Sequence, residues 1–391
     1  MPIQKKIINK WDSTFSQNEN IDVVAKKSDL NLRVLITPLG LHPEDQSKIT
    51  PHFSNLSTTS LVIHKENVTN NSSSSPVNIK LTEEEDYNGW IFVDKPKGMS
   101  STQLVSIIKK QFKSYKVGHG GTLDPLAEGV LPIALGEATK TVNYVLNADK
   151  IYIFTIQFGQ CTTTKDSEGA IIKSDDYMPS AAELKAALTH FLGEIQQIPP
   201  VFSAIKINGE RAYNLARQGV EISMESRRVF ISNLKLIDYN EGLKQATLYA
   251  KVSKGTYIRS LGEDIAAKIG ALGFIIYLRR QEICLGKEIV LIEPNKLYNL
   301  EHHIKNYLFK VEDMLDDILA YFLTFKQAID ILNGDVRSLN PELLKEGIFK
   351  AVYKGKVIAL LKYTEEKIKF LRVFNNQRYI LINQEKSDVT N

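Results

Sequence analysis

The stretch from Val117 to Pro132, VGHGGTLDPLAEGVLP, constrains the fold more than any other part of the sequence. It places four glycines and two prolines around one histidine, His119, and one aspartate, Asp124. Glycine permits positive φ and close approach to a ligand, and Pro125 fixes the chain directly after the aspartate. Such a loop presents the Asp124 carboxylate in one geometry, as catalysis requires. Local chemistry alone favours a plainer interpretation, in which Asp124 is a helix N-cap and Pro125 the first helical residue.

Several motifs together resemble one known family. Residues 118–140, GHGGTLDPLAEGVLPIALGEATK, resemble the signature of the TruB family, the tRNA pseudouridine-55 synthases. The other motifs of that family have counterparts in the same order at residues 93–101 (VDKPKGMSS), 150–152 (KIY), 253–260 (SKGTYIRS) and 277–280 (YLRR). The combination is highly specific, because order and spacing agree as well as residue type. The first 86 residues lie outside the resemblance.

This resemblance implies both an architecture and an activity. The expected fold is α+β, with a mixed-sheet pseudouridine synthase catalytic domain at residues 87–312. The expected activity is isomerisation of uridine 55 in the T loop of tRNA to pseudouridine, with base flipping and an essential aspartate. The implied partner is therefore the T stem-loop of tRNA. No obligate protein partner is implied, and a monomer is expected.

Composition agrees with a globular protein that handles a polyanion, without requiring one. The chain has 391 residues, 43% of them hydrophobic, which is enough for two or more domains with sizeable cores. Its net charge is +4 and its pI about 8.7. The two cysteines, Cys161 and Cys284, stand far apart, which fits a reducing compartment. With no apolar run of signal-peptide or membrane-span length, a cytoplasmic location is expected.

The N-terminal 86 residues have the composition of a disordered extension. Residues 54–78 are dominated by Ser, Thr and Asn, and such sequence buries too little apolar area to offset the entropy of ordering. Short apolar clusters such as residues 32–36 occur, but no sustained period connects them. A second interpretation is that this segment is upstream sequence translated from a misassigned start.

From residue 89 onward, hydrophobic periodicity and capping residues predict regular elements. They are a buried strand at 90–94, a helix capped by Ser100 or Ser101, an alternating strand at 150–158, a helix with a Ser180/Glu183 capping box, a strand at 246–252, and a helix ending near 269. Strands and helices mix without a regular βαβ alternation, which supports the α+β class.

The last segment, residues 313–383, is predicted to be a small β-rich module. Residues 347–353 and 357–363 flank a Lys-Gly-Lys turn as a hairpin, and further short strands are predicted at 368–374 and 378–382. A helix is predicted at 324–332. The module resembles the PUA-like RNA-binding domain of bacterial family members. The alternative is a β appendage that makes no RNA contact.

Pseudouridine formation defines what the site must contain. The C1′–N1 bond breaks, the base rotates, and C1′ joins C5, so neither a redox cofactor nor a metal is needed and none is expected. One group must attack or deprotonate the nucleotide, and the resemblance assigns that role to Asp124. A carboxylate can act as nucleophile or as base. Attack at the sugar, attack at the base and proton abstraction from the sugar all remain open.

Four substrate-binding residues follow from the motifs. Arg259 is the expected partner of Asp124, since a guanidinium holds a carboxylate in bidentate geometry and keeps it ionised. Without its SKGTYIRS context it would be an unremarkable surface arginine. Tyr152 is the expected stacking platform for a base, although it shares a strand face with aromatic core residues. Tyr257 and Leu278 match pocket-lining positions, where a leucine is equally a packing residue.

Three further residues lie in or before the loop. Lys95 and Pro96 match a motif that supports the catalytic loop. His119 has the chemistry of an acid, a base or a metal ligand, but no cysteine or second histidine stands at metal-binding spacing. By resemblance it contacts the substrate RNA, in the space that the flipped base vacates.

Basic residues concentrate between residues 198 and 228, a segment that by resemblance is an RNA-clasping insertion. They are Lys206, Arg211, Arg217, Arg227 and Arg228. Three glutamates interrupt them, so a solvated surface is the alternative. Two other function classes stay open: a non-catalytic RNA-binding or RNA-folding protein, and a nucleoside hydrolase or glycosylase. A hydrolase would need a second carboxylate facing Asp124, and Glu128 is the nearest in sequence.

Overall fold

The computed structural model describes residues 87–375 and, as backbone, the strands of an N-terminal hairpin. The chain divides into two units, Met1–Glu85 and Asp86–Asn391. In the first unit, strands β1 (Ile21–Ser28) and β2 (Asn31–Pro38) pair antiparallel. The sequence analysis predicted a disordered extension at residues 1–86, and outside these two strands that assignment stays a prediction. The other residues of the 1–86 extension lie outside the described part of the chain.

The second unit is a mixture of strands and helices. Its helices are α1 (Ser101–Gln111), α2 (Val142–Asn147), α3 (Ala181–Leu188), α4 (Ala212–Arg217), α5 (Ile258–Lys268), α6 (Val311–Met314) and α7 (Phe325–Leu332). Its strands are β3 (Gly89–Lys95), β4 (Val117–His119), β5 (Glu128–Leu135), β6 (Lys150–Phe158), β7 (Gln160–Thr162), β8 (Ile171–Ser174), β9 (Gly193–Gln197), β10 (Lys206–Ile207), β11 (Glu210–Arg211), β12 (Arg227–Asn240), β13 (Gln245–Val252), β14 (Gly273–Ile283), β15 (Leu291–Ile292), β16 (Phe309–Lys310), β17 (Leu319–Phe322), β18 (Gly347–Tyr353), β19 (Lys356–Thr364) and β20 (Lys367–Val373).

A ten-stranded mixed sheet forms the frame of this unit. Eight strands follow the order β15-β3-β5-β14-β6-β13-β12-β9, and β16 and β4 pair with β3 and β5. The pairs β5/β14 and β3/β15 are parallel, and the other pairs are antiparallel. The predicted α+β class is confirmed, and strand β6 has the predicted bounds.

Both faces of the sheet are buried, because alternate side chains of a strand point to opposite sides. On β3, Ile91 and Val93 join a core with helices α1, α3 and α5, whereas Trp90 and Phe92 join a second core on the other face. Ser100 caps α1 in a capping box with Gln103, and the predicted box that begins α3 is present. Packing on both faces therefore fixes the positions of the strands in this sheet.

The C-terminal segment adds a second sheet of four strands, in the order β17-β18-β19-β20. Helix α7, with Thr324 as its N-cap, packs with this sheet around a third core. Val357 and Phe374 instead belong to the second core, the one that contains Trp90 and Phe92 of β3. The segment is therefore packed against the large sheet. The predicted strand at 378–382 lies outside the described residues. No helix in the described part of the chain is long and apolar enough to cross a membrane.

Candidate active site

Asp124 lies in an irregular loop between β4 and β5. No helix follows Pro125, so the N-cap interpretation is wrong. The loop instead closes as a turn, in which the Ala127 amide donates to the Asp124 carbonyl at 3.1 Å. The Asp124 side chain is 34% exposed and therefore open to a ligand.

A buried serine clamps the residue before Asp124. The Ser101 hydroxyl accepts a hydrogen bond from the Leu123 amide at 2.9 Å and donates to the Leu123 carbonyl at 2.8 Å. The Gly98 amide also donates to the Pro125 carbonyl at 2.7 Å. The loop is thus fixed on both sides of the aspartate by the turn that precedes α1.

Lys95 stabilises that same turn from inside the protein. Its side chain is fully buried, and Nζ donates to the carbonyls of Pro96 at 2.9 Å and Met99 at 2.6 Å. Burial lowers the pKa of Lys95 to about 8, although the negative charge of Asp124 opposes this change. Lys95 and Pro96 therefore support the Asp124 loop through the turn that they form.

Arg280 holds the loop from the opposite strand. It is 2% exposed, and its guanidinium donates to the Val130 carbonyl at 2.7 Å and the Gly121 carbonyl at 3.1 Å. Gly129 adopts φ +99°, and a Cβ there would lie 2.2 Å from the Arg280 carbonyl oxygen. Only glycine permits β5 to approach β14 this closely.

The structure brings Asp124 and Arg259 together. Arg259 is 4% exposed, and its Nε lies 2.9 Å from Oδ2 of Asp124. The remaining nitrogens donate to the carbonyls of Thr164 at 3.0 Å and Phe202 at 2.8 Å. A buried, fully oriented guanidinium replaces the surface arginine that its local sequence also allowed.

A second carboxylate, Asp166, completes this arrangement and was not identified from the sequence. Its side chain is 2% exposed, and Oδ2 lies 3.3 Å from Nη1 of Arg259. Its other oxygen accepts hydrogen bonds from the Thr164 hydroxyl at 2.5 Å and the Glu168 amide at 3.0 Å. Both oxygens of Asp166 are thus engaged by protein groups, one of which is Arg259. Its segment, TTTKDSEG, has the composition of an ordinary turn.

Burial controls the ionisation of Asp124. Desolvation raises the pKa of this carboxyl, and the charge of Asp166 adds to the increase, while Arg259 and Lys95 oppose it. The charge of Arg259 acts in the expected direction, and its role in keeping Asp124 ionised stays a prediction. A carboxylate of raised basicity suits a group that must attack carbon or accept a proton.

Tyr152 and Leu278 lie on neighbouring strands beside this network. In the strand register, Tyr152 of β6 is opposite Arg280, and Leu278 of β14 is opposite Phe154. Tyr152 is partly buried, whereas Leu278 is 5% exposed and packs in the core. Packing accounts for all the contacts of Leu278, so its place in the pocket stays a prediction.

The protein comparisons agree on one family. The description "TruB family pseudouridylate synthase (N terminal domain)" matches residues 109–258. The tRNA pseudouridine synthase B of Rickettsia bellii (strain OSU 85-389) is 45% identical over 290 residues, covering 73% of this chain and 98% of that protein. The chain belongs to the TruB family.

Two further comparisons extend this result. The tRNA pseudouridine synthase B of Zymomonas mobilis subsp. mobilis is 43% identical over 303 residues, covering 74% of this chain and 96% of that protein. A chain in the crystal structure of a Cbf5-Nop10-Gar1 complex superposes with a TM-score of 0.56 at 23% identity, covering 75% and 87% of the two chains. At that identity the superposition shows the shared fold alone. The sequence identity to the two curated synthases, together with the family match, shows that the TruB chain is an enzyme, a pseudouridine synthase.

In this TruB chain, the side chain of Gln197 holds the backbone of Tyr257. The Gln197 side chain accepts from the Tyr257 amide at 2.8 Å and donates to the Tyr257 carbonyl at 3.1 Å. The guanidinium of Arg227 lies over the tyrosine ring, 4.8 Å from its centre. Gln197, 1% exposed, is a further site residue that its sequence context did not reveal.

His119 is a neutral donor or acceptor next to the loop. Desolvation lowers its pKa, and the charges of Arg280 and Arg211 lower it further. Its Nδ1 is buried and has no hydrogen-bond partner among the described residues. The same residues contain no group of three or more His, Cys, Asp or Glu side chains arranged to hold a metal.

Glu128 does not face Asp124 as a free second acid. Its Oε1 accepts from the Tyr277 hydroxyl at 2.9 Å and lies 3.3 Å from the guanidinium of Arg279. Arg279 also pairs with Asp94 at 3.0 Å. This carboxylate is committed to joining β3, β5 and β14, which gives the hydrolase interpretation no structural support.

The basic insertion consists of β10, β11, α4 and the loops around them. Arg211 donates to the Ala204 carbonyl at 2.9 Å, and Arg217 lies 5.7 Å from the ring centre of Tyr213. Arg228 pairs loosely with Glu194, 3.6 Å away, and Lys206 is exposed. The charge of Arg211 is one of the causes that lower the pKa of His119.

Proposed function

We propose that this chain isomerises uridine 55 in the T loop of tRNA to pseudouridine, with Asp124 as the essential catalytic residue. The geometry of Asp124 carries the proposal. Its Oδ2 lies 2.9 Å from Nε of the buried Arg259, while the aspartate side chain is 34% exposed. A carboxylate that is paired with a buried guanidinium and still accessible is arranged to meet a nucleotide. The relatives described above are named as tRNA-modifying synthases, which supports tRNA as the substrate.

The reaction is a balanced isomerisation. The bond between C1′ and N1 breaks, the uracil rotates, a bond forms between C1′ and C5, and the proton lost from C5 is matched by one gained at N1. Asp124 starts this sequence by attack at the sugar, by attack at the base, or by removing a sugar proton. All three routes require the ionised carboxylate, which Arg259 orients while Asp166 fixes Arg259.

The surrounding residues provide the pocket for the extruded base. Tyr152 provides a face for stacking, worth about 1–3 kcal/mol per base, which offsets the few kcal/mol that extrusion costs. Tyr257 and Leu278 line the same pocket, and His119 occupies the space left in the T loop. Lys95 and Pro96 keep the loop in register through the turn before α1.

The wider organisation follows from this function. We assign residues 87–312 to the catalytic domain and 313–383 to a PUA-like RNA-binding domain, of which residues up to 375 are described. Exposed Lys367 and Lys369 on strand β20 offer phosphate contacts. Replacing both lysines by glutamine should weaken tRNA binding and leave the single-turnover rate at saturating enzyme unchanged. We also propose that the protein acts as a cytoplasmic monomer.

The test of the proposal is to map pseudouridine at single-nucleotide level. Purified protein is incubated with an unmodified tRNA transcript, followed by chemical labelling and primer extension. The expected result is one mark, at uridine 55. A transcript with cytidine at that position should remain unmarked. Marks at other uridines would reject the assigned position, and bound but unmodified tRNA would reject catalysis.

A further inference from the structure

Arg227 occupies a distinctive position at the start of strand β12. It pairs in register with Gln197 of β9, the residue that holds the backbone of Tyr257. Its guanidinium carbon Cζ lies over the Tyr257 ring, 4.8 Å from the centre. A Cβ on Gly255 would lie only 3.5 Å from its Nη1. The side chain is therefore packed from more than one side in one orientation.

Two of the three guanidinium nitrogens of Arg227 have no hydrogen-bond partner among the described residues. Its Nε and Nη2 are both buried, and neither has a hydrogen-bond partner among the described residues. Its neighbour Arg228 pairs with Glu194. Among the described residues, Arg227 has no carboxylate partner. Unsatisfied buried donors cost free energy, and a cation without a counter-charge costs more. Such an arrangement persists most readily where a ligand completes it.

These two nitrogens define the ligand. Nε and Nη2 form one edge of the guanidinium, with two N–H groups side by side in a plane. That edge matches two oxygens of a phosphate in bidentate geometry. The contact with the tyrosine ring restrains the guanidinium, and the Nε–Nη2 edge has no partner among the described residues.

We propose that Arg227 is a positioning residue that binds a backbone phosphate adjacent to the flipped uridine. This inference rests on the proposed function, because Tyr257 beneath it lines the uridine pocket. By holding a phosphate and the tyrosine together, Arg227 couples the path of the RNA strand to the pocket that receives the base. A purely structural cation–π contact is the competing explanation, and it would make no use of the Nε–Nη2 edge.

Binding measurements distinguish the two explanations. Kd is measured at several salt concentrations for a T-arm minihelix, with Asp124→Asn as the background to prevent turnover. Arg227→Gln should weaken binding by roughly tenfold or more, since it removes a charge-assisted contact. It should also reduce the slope of log K against log salt by about one. The matched control is Lys235→Gln, an exposed cation on the same strand, which should leave the slope unchanged.

A neutral linkage in the RNA gives the decisive comparison. Minihelices carry one methylphosphonate on the 5′ or the 3′ side of the target uridine. With Arg227 present, one of the two should lose about as much affinity as Arg227→Gln does. In the Arg227→Gln protein that same linkage should cause no further loss. Additive losses at both linkages, or an unchanged salt slope, would overturn the proposal.

Two checks keep the result interpretable. Arg227→Lys retains the charge but lacks the planar edge, so it should recover stability and only part of the affinity. If Arg227→Gln lowers Tm, all Kd values are measured at a temperature at which both proteins are fully folded. Pseudouridine formation by the unmutated enzyme on the same minihelix is measured separately. Its absence would reject the proposed function, whereas the salt slope and the linkage comparison decide the role of Arg227.

Discussion

Arg259 lies 2.9 Å from Asp124 through its Nε, inside a protein interior where the arginine itself is 4% exposed. The same guanidinium reaches Asp166 through Nη1. One arginine therefore connects an accessible carboxylate to an inaccessible one. Asp166 fixes Arg259, and Arg259 in turn holds the accessible carboxylate of Asp124.

Asp166→Asn tests this division of roles. The change keeps the shape of the side chain but removes the charge that orients Arg259, so the single-turnover rate should fall about 100-fold. The free energy of unfolding should fall by about 3 kcal/mol, because Arg259 loses one of its buried partners. The RNA Kd should be nearly unchanged. Asp176→Asn, which removes an exposed acid, is the control and should alter none of these values.

Adjacent serines allow the clamp on the catalytic loop to be separated from helix capping. Ser101→Ala leaves the Leu123 amide and carbonyl without their buried partner and should cost about 1–3 kcal/mol of stability. It should also lower kcat, since Leu123 precedes Asp124. Ser100→Ala removes the N-cap of α1 at a cost of about 1 kcal/mol and should leave kcat unchanged. Equal kcat values for the two variants would show that the clamp does not position Asp124.

The pH dependence of the rate should report the ionisation of Asp124. Burial raises the pKa of this carboxyl, so activity should fall, as pH decreases, at a higher pH than an ordinary aspartate would give. Lys95 lowers the pKa of Asp124, and it is protonated throughout the acid range. Lys95→Gln should therefore move the acid limb upward. Single-turnover rates between about pH 4 and pH 8 measure this shift, and a downward shift would contradict the assignment.

Asp264 provides a prediction about stability alone. Burial raises its pKa to about 6 in the folded protein, above the value expected when unfolded. The folded state therefore binds more protons between the two values, and stability falls as pH rises to about 6 and is constant above it. Asp264→Asn should stabilise the protein at pH 7.5 but not at pH 4. Urea unfolding at both pH values tests this, with an equal effect at both as the contrary result.

The sequence predicted most of the local structure, because local structure depends on neighbouring residues. The alternating strand β6, the serine cap before α1 and the capping box before α3 follow from short-range patterns. The choice between Ser100 as cap and Ser101 as clamp was not predictable, since it depends on a loop 22 residues away. The parallel contact of β5 with β14 is likewise set by tertiary packing.

The site was predicted unevenly for the same reason. Asp124 and Arg259 stand in recognisable motifs, and the structure brings them together. Asp166 and Gln197 lie in segments that resemble ordinary turns and strand ends, and only burial reveals their contacts. A buried charge carries no signature in sequence until its partner is known.

The most direct test of the central claim replaces Asp124 by asparagine and maps pseudouridine in an unmodified tRNA transcript. Asparagine keeps the size of the side chain but can neither attack carbon nor accept a proton. We expect the unmutated protein to mark uridine 55 and the Asp124→Asn protein to bind the same tRNA without marking it. A mark formed by the variant at the unmutated rate would contradict the assignment of Asp124 as the catalytic group.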